Sequence, residues 1–214
     1  EHQHSTPIIL NADLVVKSPG IPDNVAIVKD LTSKKVSVIS EIEFASYYTK
    51  ATIIGVTGSN GKTTTSLITN HLLKAANLNV GIAGNIGNSF AQQVSEQNFD
   101  SYVIELSSFQ LDGIINFRPH IAIITNITPD HLDRYDYDFN NYVASKFRIT
   151  KNQTKDDFLI YDADDRTINK WIKNNKIKAQ LIPFSIQKEV NNGAFLKEDT
   201  IVIKLNKEAF SMSI

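Results

Sequence analysis

Residues 51–67 read ATIIGVTGSNGKTTTSL. An apolar run from Ala51 to Thr57 gives way to a turn carrying Gly58 and Gly61, then Lys62 and three consecutive threonines. Beyond them Leu67, Ile68, Leu72 and Leu73 recur at helical spacing and predict one apolar helix face. A buried strand, a glycine-rich turn and an amphipathic helix, in that order, predict a phosphate-binding loop. Glycines let backbone N–H groups turn inward around an anion, the helix N-terminus adds positive potential, and a lysine at position 62 reaches terminal phosphates. The Thr63 hydroxyl is suited to Mg²⁺. The usual spacing would need glycine where Val56 stands, so the strict motif misses by one position. The plainer alternative is a turn that binds nothing.

Outward from this loop, apolar runs alternate with helical patterns, which predicts an α/β fold with a mostly parallel sheet flanked by helices. Candidate strands are 79–84, 102–107, 120–127, 157–162 and 180–185, with helices over 139–149 and through Lys170 and Trp171. The tail, with AFLKED and TIVIKL, reads as a small antiparallel addition. Upstream of Ala51 a strand runs into the turn SPGIP, and 34–48 reads as a strand followed by a short helix. The expected division is 1–50, the end of a small preceding α/β domain, and 51–214, a central domain. A polar start and an end on AFSMSI just after a strand-like run predict an excised piece of a longer protein.

Lysine and arginine number 22 against 23 aspartates and glutamates, so no global charge favours nucleic acid or an anionic membrane surface. No cysteine occurs, which removes disulfides, thiolate nucleophiles and cysteine-bound zinc. The N-terminus lacks the pattern of a signal peptide and no apolar run reaches membrane-spanning length, so a cytoplasmic enzyme is expected.

In open α/β sheets, ligands gather at the carboxyl ends of the strands. The strand YVIEL ends there in Glu105, placed where nucleotide hydrolases keep a magnesium ligand, with Ser107 and Ser108 beyond it. The strand IAIITNI runs into Thr128-Pro-Asp-His-Leu-Asp-Arg-Tyr135, where His131, two carboxylates and Arg134 suit a divalent metal or a phosphate-bearing substrate. A solvated acidic loop explains the same residues. Asn85, in the turn GNIGN, has the chemistry to donate to an acyl or phosphate oxygen, or simply to shape the turn. Lys146 lies in a helical pattern where most lysines are surface residues. His71 reads as structural, and His2, His4 and His120 carry no motif.

The segments TGSNGKTTT, GNIGNS, VIELSSFQLD, ITNITPDHLDRY and SKFRI, in this order and spacing, resemble the Mur ligases of peptidoglycan synthesis, and ELSSFQL narrows the likeness to the D-glutamate-adding branch. The resemblance covers essentially the whole chain and explains the unusual loop spacing. It implies a P-loop NTPase-like central domain preceded by the end of a UDP-sugar-binding domain. The implied substrates are ATP, UDP-N-acetylmuramoyl-L-alanine and D-glutamate, joined through an acyl phosphate by a monomer. It implies that Gly58, Ser59, Asn60, Gly61, Lys62, Thr63 and Thr64 hold the nucleotide, with Asn126 and Arg134 nearby. Two Mg²⁺ ions are implied, one at Thr63 and Glu105, the other at His131 with Lys146 once that lysine is a carbamate. Lys62, Glu105, His131 and Lys146 are the implied catalytic set. Ser18, Pro19, Gly20, Asn85 and Ser107 are the implied substrate contacts. The isolated chain is expected to be inactive. Two alternatives stay open, a sister ligase such as folylpolyglutamate synthase and a nucleotide-binding module without turnover.

Overall fold

A computed structural model describes residues 6–214, so His2 and His4 lie outside the described residues. Two sheets organise the chain. In the first, β1 (Leu14–Lys17) pairs in parallel with β2 (Ser37–Ser40), linked through α2 (Ala26–Ser33) and preceded by α1 (Thr6–Leu10). Helix α3 (Glu41–Ser46) follows β2 directly, because the Ser40 hydroxyl accepts from the Glu43 N–H and caps it.

The second sheet has nine strands. They are β3 (Thr52–Thr57), β4 (Val80–Gly84), β5 (Ser101–Glu105), β6 (Ile121–Ile124), β7 (Phe158–Asp162), β8 (Gln180–Ser185), β9 (Gly193–Lys197), β10 (Thr200–Leu205) and β11 (Glu208–Ser213). In space they run β11-β10-β9-β8-β7-β6-β3-β5-β4. Strands β4 through β9 and β3 are parallel, and β10 and β11 close the edge antiparallel. The expected strands all form. The last one, β11, is not among those expected, because EAFSMS alternates too weakly to read as a strand without β10 beside it.

The intervening helices are α4 (Lys62–Ala75), α5 (Phe90–Glu96), α6 (Ser108–Asp112), α7 (Phe139–Phe147) and α8 (Arg166–Asn174). The main core includes Tyr102, Ile104, Leu111, Phe117, Ile124, Tyr142 and Leu159. Ile42 and Ala45 of α3 join that same core, so this helix is packed with the larger unit although it precedes Ala51. Strand alternation sends Ile54, Val56, Val103 and Ile123 to the opposite face, which α4 covers through Leu73.

Helix α4 corrects one expectation. Leu67, Ile68 and Leu72 are exposed, and the fully inward positions are Ser66 and Asn70. The loop before α4 fixes the helix's rotation, and periodicity alone does not report it. Among the described residues no helix is long and apolar enough to cross a membrane.

The parallel strand order creates the place where a ligand can sit. The chain leaves β3 for β4 and β5 on one side, then returns to β6 on the other. The ends of β3, β5 and β6 therefore meet at a switch in strand order, where an open sheet leaves a crevice.

Candidate functional site

The loop after β3 is shaped by Gly58. Its φ of 151° lies in a region side chains avoid, and a Cβ there would overlap the Thr125 hydroxyl. The chain can thus press against the end of β6. The Ser59 N–H donates to the Asn126 carbonyl at 2.9 Å, and its hydroxyl, buried, bonds to the Thr128 carbonyl at 2.9 Å and to the Tyr142 hydroxyl at 3.1 Å. Asn126 clamps the next residue from both sides, accepting from the Asn60 N–H at 2.9 Å and donating to its carbonyl at 3.0 Å. Ser59 and Asn126, expected at the nucleotide, spend these groups on holding the loop's shape.

Gly61 adopts the left-handed conformation and starts α4. Lys62 then arches back and its Nζ donates to the carbonyls of Gly58 and Ser59, both at 2.9 Å. Thr64 is exposed on the first turn. The Thr63 hydroxyl donates to Glu105 Oε2 at 2.7 Å, and Asn85 Nδ2 donates to Oε1 at 2.8 Å. Glu105 is 1% exposed, at the end of β5 beside Gly84 of β4. The carboxylate is thus aimed at the start of α4 and held by neutral donors, with no ion pair to it among the described residues.

A cavity of about 210 Å³ opens beside this pair. Lys62, Asn85, Ser107, His131 and Lys146 all line it, as do Pro19 and Gly20 from the turn after β1. Ser107 caps α6 in a reciprocal capping box with Gln110. His131, in the left-handed conformation, lies 3.5 Å from the Asp130 carboxylate and is more than half exposed. Ser18 does not line the cavity, although its carbonyl closes the turn by accepting from the Ile21 N–H at 3.0 Å.

Lys146 departs furthest from what a helical lysine suggests. It is 2% exposed, and its Nζ sits 4.7 Å from the centre of the Tyr142 ring. Burial, helped by the charge of Lys62, lowers its pKa to about 7, against the opposing pull of Asp130 and Asp112. A large fraction of its amine is therefore neutral, and so nucleophilic, near neutral pH.

Arg134 is placed away from the phosphate loop. Its guanidinium donates to the carbonyls of Pro19 and Gly20, each at 3.3 Å, and stacks 4.4 Å above Phe109. Tyr142 and Phe109 also line the cavity, and neither stands out in the sequence. A signal exists for Tyr142, since it lies one turn before Lys146 on the same helix face. His71 is exposed on α4, and His120 bonds to Asp157 at the start of β6, the end opposite the cavity.

The oxygen set at the end of β5 fits Mg²⁺. Thr63 and Glu105 are hard donors in contact, and the buried carboxylate lacks a cationic partner among the described residues. A second set is less complete. Among the described residues no three His, Asp or Glu side chains converge on one point, so a site at His131 depends on Lys146 becoming a carbamate.

Known proteins place the chain in a family. A family model described as the Mur ligase middle domain matches residues 56–213. A UDP-N-acetylmuramoylalanine–D-glutamate ligase of Christiangramia forsetii is 54% identical over 212 residues, covering 99% of this chain and 48% of that protein. The enzyme of the same name from Bacteroides thetaiotaomicron is 52% identical over 203 residues, covering 95% of this chain and 46% of its own length. The chain therefore spans about half the length of the curated relatives it matches. Among solved structures, UDP-N-acetylmuramoyl-L-alanyl-D-glutamate–2,6-diaminopimelate ligase superposes with a TM-score of 0.65 at 18% identity, covering 94% of this chain and 55% of that one. MurF ligase of Thermotoga maritima, in complex with ADP, gives a TM-score of 0.56 at 16% identity, covering 96% and 58%. These two likenesses bear on fold alone. With the family model spanning most of its length, the chain belongs to the Mur ligases.

Proposed function

We propose that the full-length protein joins D-glutamate to UDP-N-acetylmuramoyl-L-alanine at the expense of ATP, through an acyl phosphate, in the cytoplasm. The observation that carries this reading is the convergence of Lys62, Asn85, His131 and Lys146 on one cavity at the switch point of the sheet, with the Thr63–Glu105 pair joined to it through the Asn85 hydrogen bond to Glu105. Relatives about half identical to the chain bear the name of that ligase and support the choice of substrates.

In the proposed reaction, the alanyl carboxylate attacks the γ-phosphate of ATP, ADP departs, and the amine of D-glutamate then displaces phosphate from the acyl phosphate. Phosphoryl transfer asks mainly for positioning and charge neutralisation. Lys62 leaves its two carbonyl acceptors for the β- and γ-phosphates, while the N–H groups at the start of α4 serve the anion, those of Ser59 and Asn60 being already bonded to Asn126. Thr63 and Glu105 would hold one Mg²⁺, and His131 with a carbamylated Lys146 a second. Bound there, Mg²⁺ neutralises charge on the phosphate oxygens. Asn85, Ser107 and the Pro19–Gly20 turn bind and orient the substrate carboxylate and its sugar. Residues 1–50 serve as the end of the UDP-sugar domain, and 51–214 as the central ATPase.

The test is ADP release by the full-length protein. Turnover should require UDP-N-acetylmuramoyl-L-alanine together with D-glutamate. No release with that pair, but release with a folate and glutamate, would move the assignment to a sister ligase. Calorimetric binding of ATP and Mg²⁺ with no turnover on either pair would reduce the site to a nucleotide-binding module.

A further inference from the structure

Arg134 is expected near the nucleotide, yet its side chain contacts Pro19, Gly20 and Phe109, none of them in the phosphate loop. We infer that Arg134 is a positioning residue that clamps the Pro19–Gly20 turn of the first unit onto the His131 loop and so sets the width of the cavity for the UDP-sugar substrate. This rests on the reaction proposed above.

Among the described residues, the segment before Ala51 meets the larger unit through α3 and through the Pro19–Gly20 turn. At the far end α3 is fixed rigidly. Glu43, fully buried, accepts from the N–H groups of Ile115, Asn116 and Phe117 at 2.9, 2.8 and 2.7 Å. The Ser40 N–H donates to the Gly113 carbonyl at 2.9 Å. The Pro19–Gly20 turn lies beyond β1, on the side of the cavity. There the bridge is Arg134. Its two terminal nitrogens reach two successive main-chain carbonyls, 114 and 115 residues away in sequence.

The same guanidinium stacks on Phe109, and Phe109 packs against the His131 ring with centroids 5.2 Å apart. One planar cation therefore touches the turn of the first unit and, through an aromatic ring, the histidine facing it. Only a forked, flat donor does both. Lysine offers a single point charge and no stacking plane, so it cannot serve two carbonyls while lying on a ring. Pro19, Gly20, Phe109 and His131 all line the cavity, so a slack clamp widens it on the substrate side while leaving the Lys62 loop untouched.

A clamp of this kind affects the two substrates unequally. In the full-length protein, Arg134→Ala should raise KM for UDP-N-acetylmuramoyl-L-alanine about tenfold, as expected for losing hydrogen bonds from a charged donor. KM for ATP should change less than about twofold, since the nucleotide loop keeps its own anchors, and Arg134→Lys should recover only part of the loss. The 214-residue chain has no cysteine, so in this chain Asn24→Cys and Asp133→Cys, both away from the buried core, can carry a pair of spin labels across the clamp. Their distance distribution should broaden in Arg134→Ala. An unchanged distribution, an unchanged KM for the UDP-sugar, or an equal rise in KM for ATP would overturn the inference. If the full-length protein gave no ADP with this substrate pair, the proposed reaction would fail instead, and the spin labels would still decide the clamp.

Discussion

Asp157→Asn should weaken the fold by about 2 kcal/mol at neutral pH, and the weakening should fade in acid. The Asp157 side chain is 1% exposed and lies just before β7. Its carboxylate accepts from Arg118 at 2.7 and 3.0 Å, from the Thr154 N–H at 2.6 Å, and pairs with His120 Nδ1 at 3.0 Å. Burial pushes its pKa up, but Arg118, the Thr154 N–H and His120 together outweigh that and hold it at about 2. A carboxyl with a folded pKa near 2 and an ordinary unfolded one contributes about 2.5 kcal/mol at pH 7. Arg118 and His120 are each 45% exposed, and screening of those partners trims the figure to about 2. Because the folded pKa is the lower one, the contribution is complete above about pH 4 and is lost as pH falls through about 2. The amide removes the charge and turns one acceptor into a donor facing donors. Urea unfolding of both proteins at pH 7, 4, 3 and 2 reads the difference. Trp171, the single tryptophan, stacks 5.0 Å from Phe147 and serves as the probe. Thermal midpoints at pH 7 should differ by about 4–8 °C for a chain of this size. A gap below about 0.5 kcal/mol at pH 7, or one that stays constant to pH 2, would refute the reasoning, since neither fits a charge-dependent anchor.

Within the site, Glu105→Ala in the full-length protein should abolish magnesium-dependent ADP release, and wild-type turnover would sink the metal assignment. Lys62→Ala should weaken ATP binding and stop transfer; unchanged affinity and rate would favour a glycine turn that binds nothing. Gly58→Ala should impair ATP binding as well, because the loop must move off Thr125 to admit a Cβ, and calorimetry showing wild-type affinity would contradict this. The 214-residue chain alone, about half the length of its relatives, should bind ATP weakly and release no dipeptide product; mass-spectrometric detection of product would overturn that expectation.

The parts of the site legible in the sequence are those whose geometry is local. A strand end fixes where Glu105 emerges, and a glycine-rich turn into a helix fixes where Lys62 and Thr63 stand, so neighbours in sequence suffice to place them. Arg134 could not be placed this way, since its partners Pro19 and Gly20 are remote in the chain and present only main-chain carbonyls, which no residue type betrays. The same holds for Glu43, whose partners are the N–H groups of 115–117. The apolar stripe of α4 misled because helical periodicity gives a face but not which way it turns, and the loop anchored at Thr125 and Asn126 decides that.

Lys146 shows how far tertiary placement reaches into chemistry. Two lysines line the cavity, and by residue type they are equivalent. Lys62 donates to two main-chain carbonyls of the phosphate loop, Gly58 and Ser59. Lys146 lies on a helix whose Tyr142 bonds to Ser59, and that bond draws the helix against the phosphate loop and buries the amine over an aromatic face. Desolvation and the neighbouring Lys62 charge then act in the same direction and bring its pKa to about 7. One lysine is thus tied to the carbonyls of the phosphate loop, and the other is left with a lowered pKa and an available free amine, which carbamate formation requires. The difference comes from which partners the fold supplies, so exchanging the roles would take a change of partners rather than of lysines.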